Sequence, residues 1–306
     1  MCGQLMLLNG GLIMSDLIGV ILRSLEYGSF YALAALGIIL VYKTSYTTNF
    51  AQATIGMFST YFVAKLIHDQ GLSLYLAIPI GIVSAIIIGV IIDVLIFRNA
   101  KNASPISKQI ITLGITSILL GLAPMAFGVY NLNMPRLIPD GSVSILGAQI
   151  SLNGLFNIVF GMVVMGLMFL IIQKTKIGLA IRTTASNETV ARMMGVPSKT
   201  VTMLSWAIAG VLALLSGVMA APYSSVSLTF MNDIQIMAFL ACTVGGFQTY
   251  YGAVVASYLI SVVLNVFQVY APSGTLIGKP VIYLLLLVVL YIRPYGLFGK
   301  KTVKKV

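Results

Sequence analysis

SLYLAIPIGIVSAIIIGVIIDVLIF, residues 73–97, contains one charged side chain, Asp93. Hydrocarbon about 30 Å thick takes about 20 mostly apolar residues of helix, so the stretch reads as a membrane span. Working outward from it, similar spans read at 17–42, 52–67, 108–130, 153–173, 201–221, 251–271 and 278–297. The first is long enough to be tilted. A further apolar piece at 235–247 is too short to cross unaided and reads as a discontinuous or re-entrant helix. Such breaks are tolerated at membrane depth only where protein or a water-filled cavity surrounds them. The expected fold is all-α, a polytopic integral membrane helix bundle of about eight or nine transmembrane segments. Its expected organisation is an N-terminal segment (1–16), a transmembrane domain (17–299) with a cytoplasmic loop at 174–200, and a basic tail (300–306).

Composition agrees. Of 306 residues 59% are hydrophobic and 8% charged, against about 25% charged in soluble domains. That excludes a cytosolic enzyme, a nucleic-acid binder and a disordered scaffold. The net charge of +11 is assigned to basic loops at the cytoplasmic membrane face. Three segments carry 13 of the 18 positive residues: Arg98, Lys101 and Lys108; Lys174, Lys176, Arg182, Arg192 and Lys199; and Arg293, Lys300, Lys301, Lys304 and Lys305. These are expected in the cytoplasm. The loops at 131–152 and 222–234 share one basic residue, Arg136, and are expected outside. Asp16, Arg23 and Glu26 give the N-terminal side no clear bias. Cys2 and Cys242 suggest no disulfide framework, and the lone His68 argues against a histidine-based metal site. Asn9-Gly10-Gly11 shortly before Met14 reads as a translated ribosome-binding site, with Met14 the start, and no basic region before the apolar run suggests a signal peptide.

Within 174–200 a small helix has its own punctuation. Asn187 suits an N-cap, and Glu188 follows where the helix dipole favours negative charge. Gly195 suits the left-handed position past the end, and Pro197 stops continuation. About two turns so capped read either as a rigid knob for a cytoplasmic partner or as an ordered turn in a basic loop.

GLAIRTTASNETVARMMGVPSKTVTMLSWAIAGVLALLSGVMAAP (178–222) resembles the coupling-loop region of LivH-type permeases, membrane subunits of ATP-binding-cassette importers for branched-chain amino acids and related solutes. AFLACTVGGFQTYYGAVVASYLISVV (238–263) is similar to that family's Gly-Gly-Phe turn and following helix. LLLLVVLYIRPYGLFG (284–299) resembles its last span and ending, and YGSFYALAALGIILVYKTSYTTNFAQ (27–52) its first helix and Asn-Phe-Ala signature. The signature departs from the common Asn-Phe-Ala-His/Gln-Gly-Glu: here Asn49-Phe50-Ala51-Gln52-Ala53-Thr54 lacks the carboxylate. The resemblance implies a non-catalytic permease subunit of a bacterial or archaeal plasma membrane, with a cytoplasmic C-terminus. It implies as partners two ATPase subunits, a second permease subunit of LivM type, an extracytoplasmic solute-binding protein and membrane lipid, and no nucleic acid. ATP and Mg would bind the ATPase subunits, with no cofactor in this chain. No Gly-x-x-x-x-Gly-Lys-Ser/Thr loop is present; the nearest stretch, Gly296-Leu-Phe-Gly299-Lys-Lys-Thr302, has the wrong spacing. Asn187, Glu188, Ala191, Arg192, Met194 and Gly195 are the candidate coupling residues. The cargo expected is a branched-chain or other apolar amino acid, with urea, short amides or another small polar solute as the alternative.

Polar and glycine-containing breaks mark a candidate path. Asn49, Gln52 and Thr54 lie between the first two spans, and Thr243 and Gln248 flank Gly245-Gly246. A half-helix N-terminus offers unpaired amides to a carboxylate, although small and polar residues also simply let membrane helices pack. Arg23 and Glu26, three apart, are placed to pair on one helical face. Asp93 reads as serving loop structure or the ATPase interface, Asp233 as an outward-loop carboxylate, and His68-Asp69 as an outer helix end. An ion-coupled secondary transporter is the rival class, but no inverted repeat or row of intramembrane carboxylates is evident. A channel lacks a visible filter, and a membrane enzyme lacks a catalytic set.

Overall fold

The computed structural model describes residues 2–100, 103–139, 141–271 and 274–299, with side chains described from 16 onward except at 274–276. Lys101, the basic tail 300–306 and the side chain of Met14 therefore lie outside the described residues. Eleven α-helices appear among them: α1 (Cys2–Ser45), α2 (Gln52–Gln70), α3 (Leu74–Ile91), α4 (Pro105–Phe127), α5 (Leu152–Lys174), α6 (Lys176–Ser186), α7 (Glu188–Met193), α8 (Ser198–Ala220), α9 (Asn232–Gly245), α10 (Tyr250–Tyr270) and α11 (Gly274–Ile292). Six helical stretches are long and apolar enough to cross a membrane: Asp16–Ser45, Leu74–Phe97, Pro105–Phe127, Leu152–Lys174, Ser198–Tyr223 and Tyr250–Tyr270. The chain is a polytopic helical membrane protein.

α1 is the axis. It packs on α10, α8, α9 and α5, and its apolar window is 89% buried against 17% for that of α4, so α1 is interior and α4 peripheral. Small residues allow close helix approach: a Cβ at Gly210 of α8 would meet the Ala85 carbonyl of α3 at 2.6 Å. The two ends of the bundle differ. At one, Tyr46 after α1 donates to the Ala185 carbonyl of α6 at 2.9 Å. At the other, Leu132 and Val226 bridge through backbone bonds of 3.1 and 2.7 Å, while His68 and Tyr75 reach the carbonyls of Asn133 and Leu137.

The fold is not purely helical. Ser142–Ile145 (β1) and Ala148–Ser151 (β2) form an antiparallel hairpin at this second end. Its two-residue turn has positive φ at both Leu146 (52°) and Gly147 (86°), the type I′ geometry that matches strand twist.

Beyond α3 the helix loosens into a π-helix, Ile92–Phe97. Bonds reaching five residues back replace the usual four, so Asp93 and Arg98 come onto one side, with Arg98 Nε 3.6 Å from the carboxylate.

Candidate functional site: a capped loop helix, a braced break and a cleft between them

α7 is built as its sequence punctuation suggests. The Asn187 side-chain oxygen accepts from the amides of Thr189 (3.0 Å) and Val190 (3.1 Å), taking up donors a helix start leaves unpaired. At the other end Val196 N–H donates to the Ala191 carbonyl and Gly195 N–H to that of Arg192, at 2.9 and 3.0 Å. This crossed pair needs the left-handed φ of +80° at Gly195. Glu188 and Arg192, one turn apart, form an ion pair. Ala191 faces inward at 2% exposure, whereas Met193 and Met194 are 82% and 74% exposed. The result is a stiff one-and-a-half-turn helix with an apolar tip. α6 precedes it, capped by Thr175 accepting from Gly178 N–H at 3.1 Å, so two short helices occupy a region whose sequence suggested one. Tyr46 ties α6 to α1, and burial, then Glu188 and Tyr42, raise its phenol pKa, keeping it a hydrogen-bond donor.

The break between α1 and α2 turns back into the bundle, since a Cβ on Gly37 of α1 would run into the Gln52 amide. Asn49 and Gln52 are both fully buried. Asn49 donates to Gln52 Oε1 (3.0 Å) and accepts from Ala51 N–H (3.0 Å), and Gln52 Nε2 donates to the Ala209 carbonyl of α8 (2.9 Å). α4 adds Thr112, which accepts from Phe50 N–H at 3.2 Å, and Gln109, which reaches the Thr48 hydroxyl. Gln235 of α9 supplies what a local N-cap would: its Oε1 accepts from Ala53 N–H at 2.6 Å while its amide reaches the Asn49 and Phe50 carbonyls. Sequence reasoning missed Gln235, Gln109 and Thr112; a polar side chain near the start of the short apolar helix was the available signal for the first. Thr54 is buried in the first turn of α2.

Thr243 donates back to the Phe239 carbonyl at 2.7 Å. After it, Gly246 adopts φ +89°, and a Cβ there would lie 2.8 Å from the Tyr295 carbonyl. Leu297 N–H closes the contact on the Val244 carbonyl at 2.7 Å. The Gly-Gly-Phe turn and the Arg-Pro-Tyr-Gly-Leu-Phe-Gly segment thus interlock. Gln248, in this turn, lines a cleft of about 820 Å³ together with Tyr42, Lys43, Tyr46, Arg182 and Tyr250. Lys43 Nζ sits 4.3 Å over the Tyr250 ring. The coupling candidates and Gln248 therefore share the α6–α7 end, while Asn49 and Gln52 brace the break within the bundle.

Two sequence expectations about charge are corrected. Glu26 does not pair with Arg23: it is buried and accepts from Asn157 Nδ2 of α5 at 2.8 Å, because its helical face packs on α5 while Arg23 stays exposed. Asp233 is not in a loop. It stands in the first turn of α9, which starts at Asn232, and both its oxygens take Lys279 Nζ of α11 at 2.9 Å. No group of three or more metal-ligating side chains occurs among the described residues.

The model of a family described as branched-chain amino acid transport system / permease component matches residues 20–290. The chain is 29% identical over 312 residues to a protein of Methanocaldococcus jannaschii named probable branched-chain amino acid transport permease protein LivH, covering 97% of this chain and 93% of the relative. It is 27% identical to the high-affinity branched-chain amino acid transport system permease protein BraD of Pseudomonas aeruginosa, covering 94% and 97%. To the corresponding LivH of Escherichia coli it is 25% identical, covering 91% and 94%. No solved structure matches significantly.

Proposed function

Because the chain belongs to the branched-chain amino acid transport permease family, we propose that it is the permease subunit of an ATP-binding-cassette importer that carries branched-chain or other apolar amino acids. Two separate ATPase subunits drive it, a second, LivM-type permease subunit pairs with it, and an extracytoplasmic solute-binding protein delivers the cargo. ATP and Mg belong to the ATPase subunits. The reading carries the α6–α7 end to the cytoplasm, together with the C-terminus. It counts nine segments, α1 to α5 and α8 to α11, with α9 as the short discontinuous helix, so that the even number from α8 to α11 returns the chain to the cytoplasmic face.

The observation that carries this is α7: a helix too short to persist alone, closed at both ends by its own caps and tipped by exposed Met193 and Met194. A rigid contact of that kind passes motion between bodies where a loose loop would absorb it. Asn187, Glu188, Ala191, Arg192, Met194 and Gly195 build the contact. Gln248 and Thr243 belong to the inner end of the path. Asn49, Gln52 and Thr54 hold the helix break beside which the cargo passes.

The test is uptake by proteoliposomes containing the assembled importer. ATP-dependent accumulation of leucine, isoleucine or valine, abolished by deleting 187–195, is the expected result. Accumulation that persists without ATP and collapses with an ionophore would put the chain among ion-coupled secondary transporters. Binding of urea or short amides, and not amino acids, by the cognate binding protein would move the cargo to small polar solutes.

A further inference from the structure

A second cleft, about 200 Å³, opens at the α6–α7 end between α7 and the bundle. It is smaller than the roughly 300–1,000 Å³ of drug-sized ligand pockets. Four cations from four parts of the chain line it: Arg98 after the π-helix, Lys108 of α4, Arg192 of α7 and Lys199 of α8. Two of them have carboxylate neighbours, Arg98 with Asp93 and Arg192 with Glu188. Lys108 and Lys199 form no ion pair among the described residues, so the lining carries an excess of two positive charges.

Two serines give the cleft its second property. Ser45, ending α1, and Ser198, opening α8, both line it and are only 9% and 3% exposed, yet neither hydroxyl has a hydrogen-bond partner within the protein. Buried hydroxyls are normally bonded, because leaving one unmade costs free energy. Hydroxyl donors set among ammonium and guanidinium groups suit a compact oxyanion with several acceptor oxygens.

We propose that this cleft binds a phosphate-class oxyanion, either the headgroup phosphate of an anionic lipid or a free phosphate. Its size excludes a whole nucleotide. Its place at the helix ends suits both sources, since anionic headgroups concentrate where basic residues flank membrane spans. A bound anion joins Arg192 of α7 to Lys199 of α8 and Arg98 beyond α3, bracing the loop helix against the bundle.

The test uses the full chain in nanodiscs and does not depend on transport, so failure of the importer reading would not be mistaken for failure of this one. One arm titrates inorganic phosphate into phosphatidylcholine discs and follows the thermal midpoint. The other releases the protein from discs containing phosphatidylglycerol and counts retained lipid by native mass spectrometry. Saturable stabilisation in the first arm identifies free phosphate; retention of one phosphatidylglycerol in the second identifies the lipid. In the responding arm Lys199→Gln is expected to weaken binding about tenfold or more, the value of one charged hydrogen bond. Ser198→Ala, which keeps the fold's volume, should weaken it as well, while Lys176→Gln on α6 should not. No response in either arm overturns the proposal, as does equal loss with Lys176→Gln, which would mean bulk attraction to a basic face.

Discussion

Replacing Asn187 by alanine isolates the stiffness of the loop helix. The change removes one side-chain oxygen and with it the bonds to Thr189 and Val190 N–H, at 3.0 and 3.1 Å. Loss of an N-cap of this kind costs about 0.5–2 kcal/mol. In a long helix the loss is diluted, but α7 has six residues and no run of internal bonds to fall back on. The whole cost therefore falls on one local opening equilibrium, and one or two kcal/mol is a factor of about 5–30 in population. Hydrogen exchange at residues 188–194 in the assembled importer should accelerate by that factor, while the core amides of α8 stay unchanged. ATP-driven uptake should fall, with ATP hydrolysis by the partner subunits persisting. Asn187→Ser, which restores an acceptor at the same place, should recover both exchange protection and uptake. Accelerated exchange with undiminished uptake would refute the claim that rigidity transmits force. Unchanged exchange would mean that the cap does not hold the helix.

Changing Met193 and Met194 together to glutamate should abolish uptake and leave the thermal midpoint of the isolated subunit unaltered, because both side chains are solvent-facing; full uptake would remove the tip from the coupling contact. Gln235→Leu leaves the Ala53 amide without its 2.6 Å acceptor and should lower stability by roughly 1–3 kcal/mol in a detergent melt. Gly210→Val pushes a branched side chain at the Ala85 carbonyl, where even a Cβ would lie at 2.6 Å. Forcing α3 and α8 apart should cost about 1–3 kcal/mol in the same assay, and an unaltered midpoint would show that the contact is looser than described.

What the sequence reveals here is what is local to it. Asn187, Gly195 and Pro197 lie within one short stretch, and their backbone demands are met by neighbours, so the loop helix reads from its caps. The apolar runs of α3 and α5 read just as directly. The hairpin does not, because its turn places Leu146 at positive φ, where Asn, Asp or Gly is the usual signal. The cap of α2 is illegible for a different reason: it comes from Gln235, 182 residues away. The three-residue spacing of Arg23 and Glu26 suggests an ion pair, but spacing on one helix cannot say which neighbour covers which side. Asn157 decides that. Asn49 and Gln52 stand out in the sequence as polar groups in an apolar setting, and that signal alone does not separate lining a path from holding a bend. Their partners add what the sequence lacks, a part in holding the bend, since the Gln52 amide is engaged at both ends.

The same bonds tie the loop helix to the break through a single element. α8 begins at Ser198, directly after α7 and its Gly195 stop, and its Ala209 carbonyl takes the Gln52 amide. From Ser198 to Ala209 the helix rises about 17 Å, and the small-residue contact at Gly210 clamps α8 to α3 at that level. A helix held there can pivot or slide as a unit but cannot bend locally without losing bonds. A push at its α7 end therefore reaches Gln52, and through Gln52 the Asn49 bond that shapes the break. The amides of Ala51 and Ala53, held by Asn49 and Gln235, report on this connection. In the assembled importer their exchange should change when ATP closes the motor subunits, and Asn187→Ala should suppress the change. Exchange at Ala51 and Ala53 that responds to ATP equally in both proteins would mean that motion reaches the break by a route other than α7 and α8.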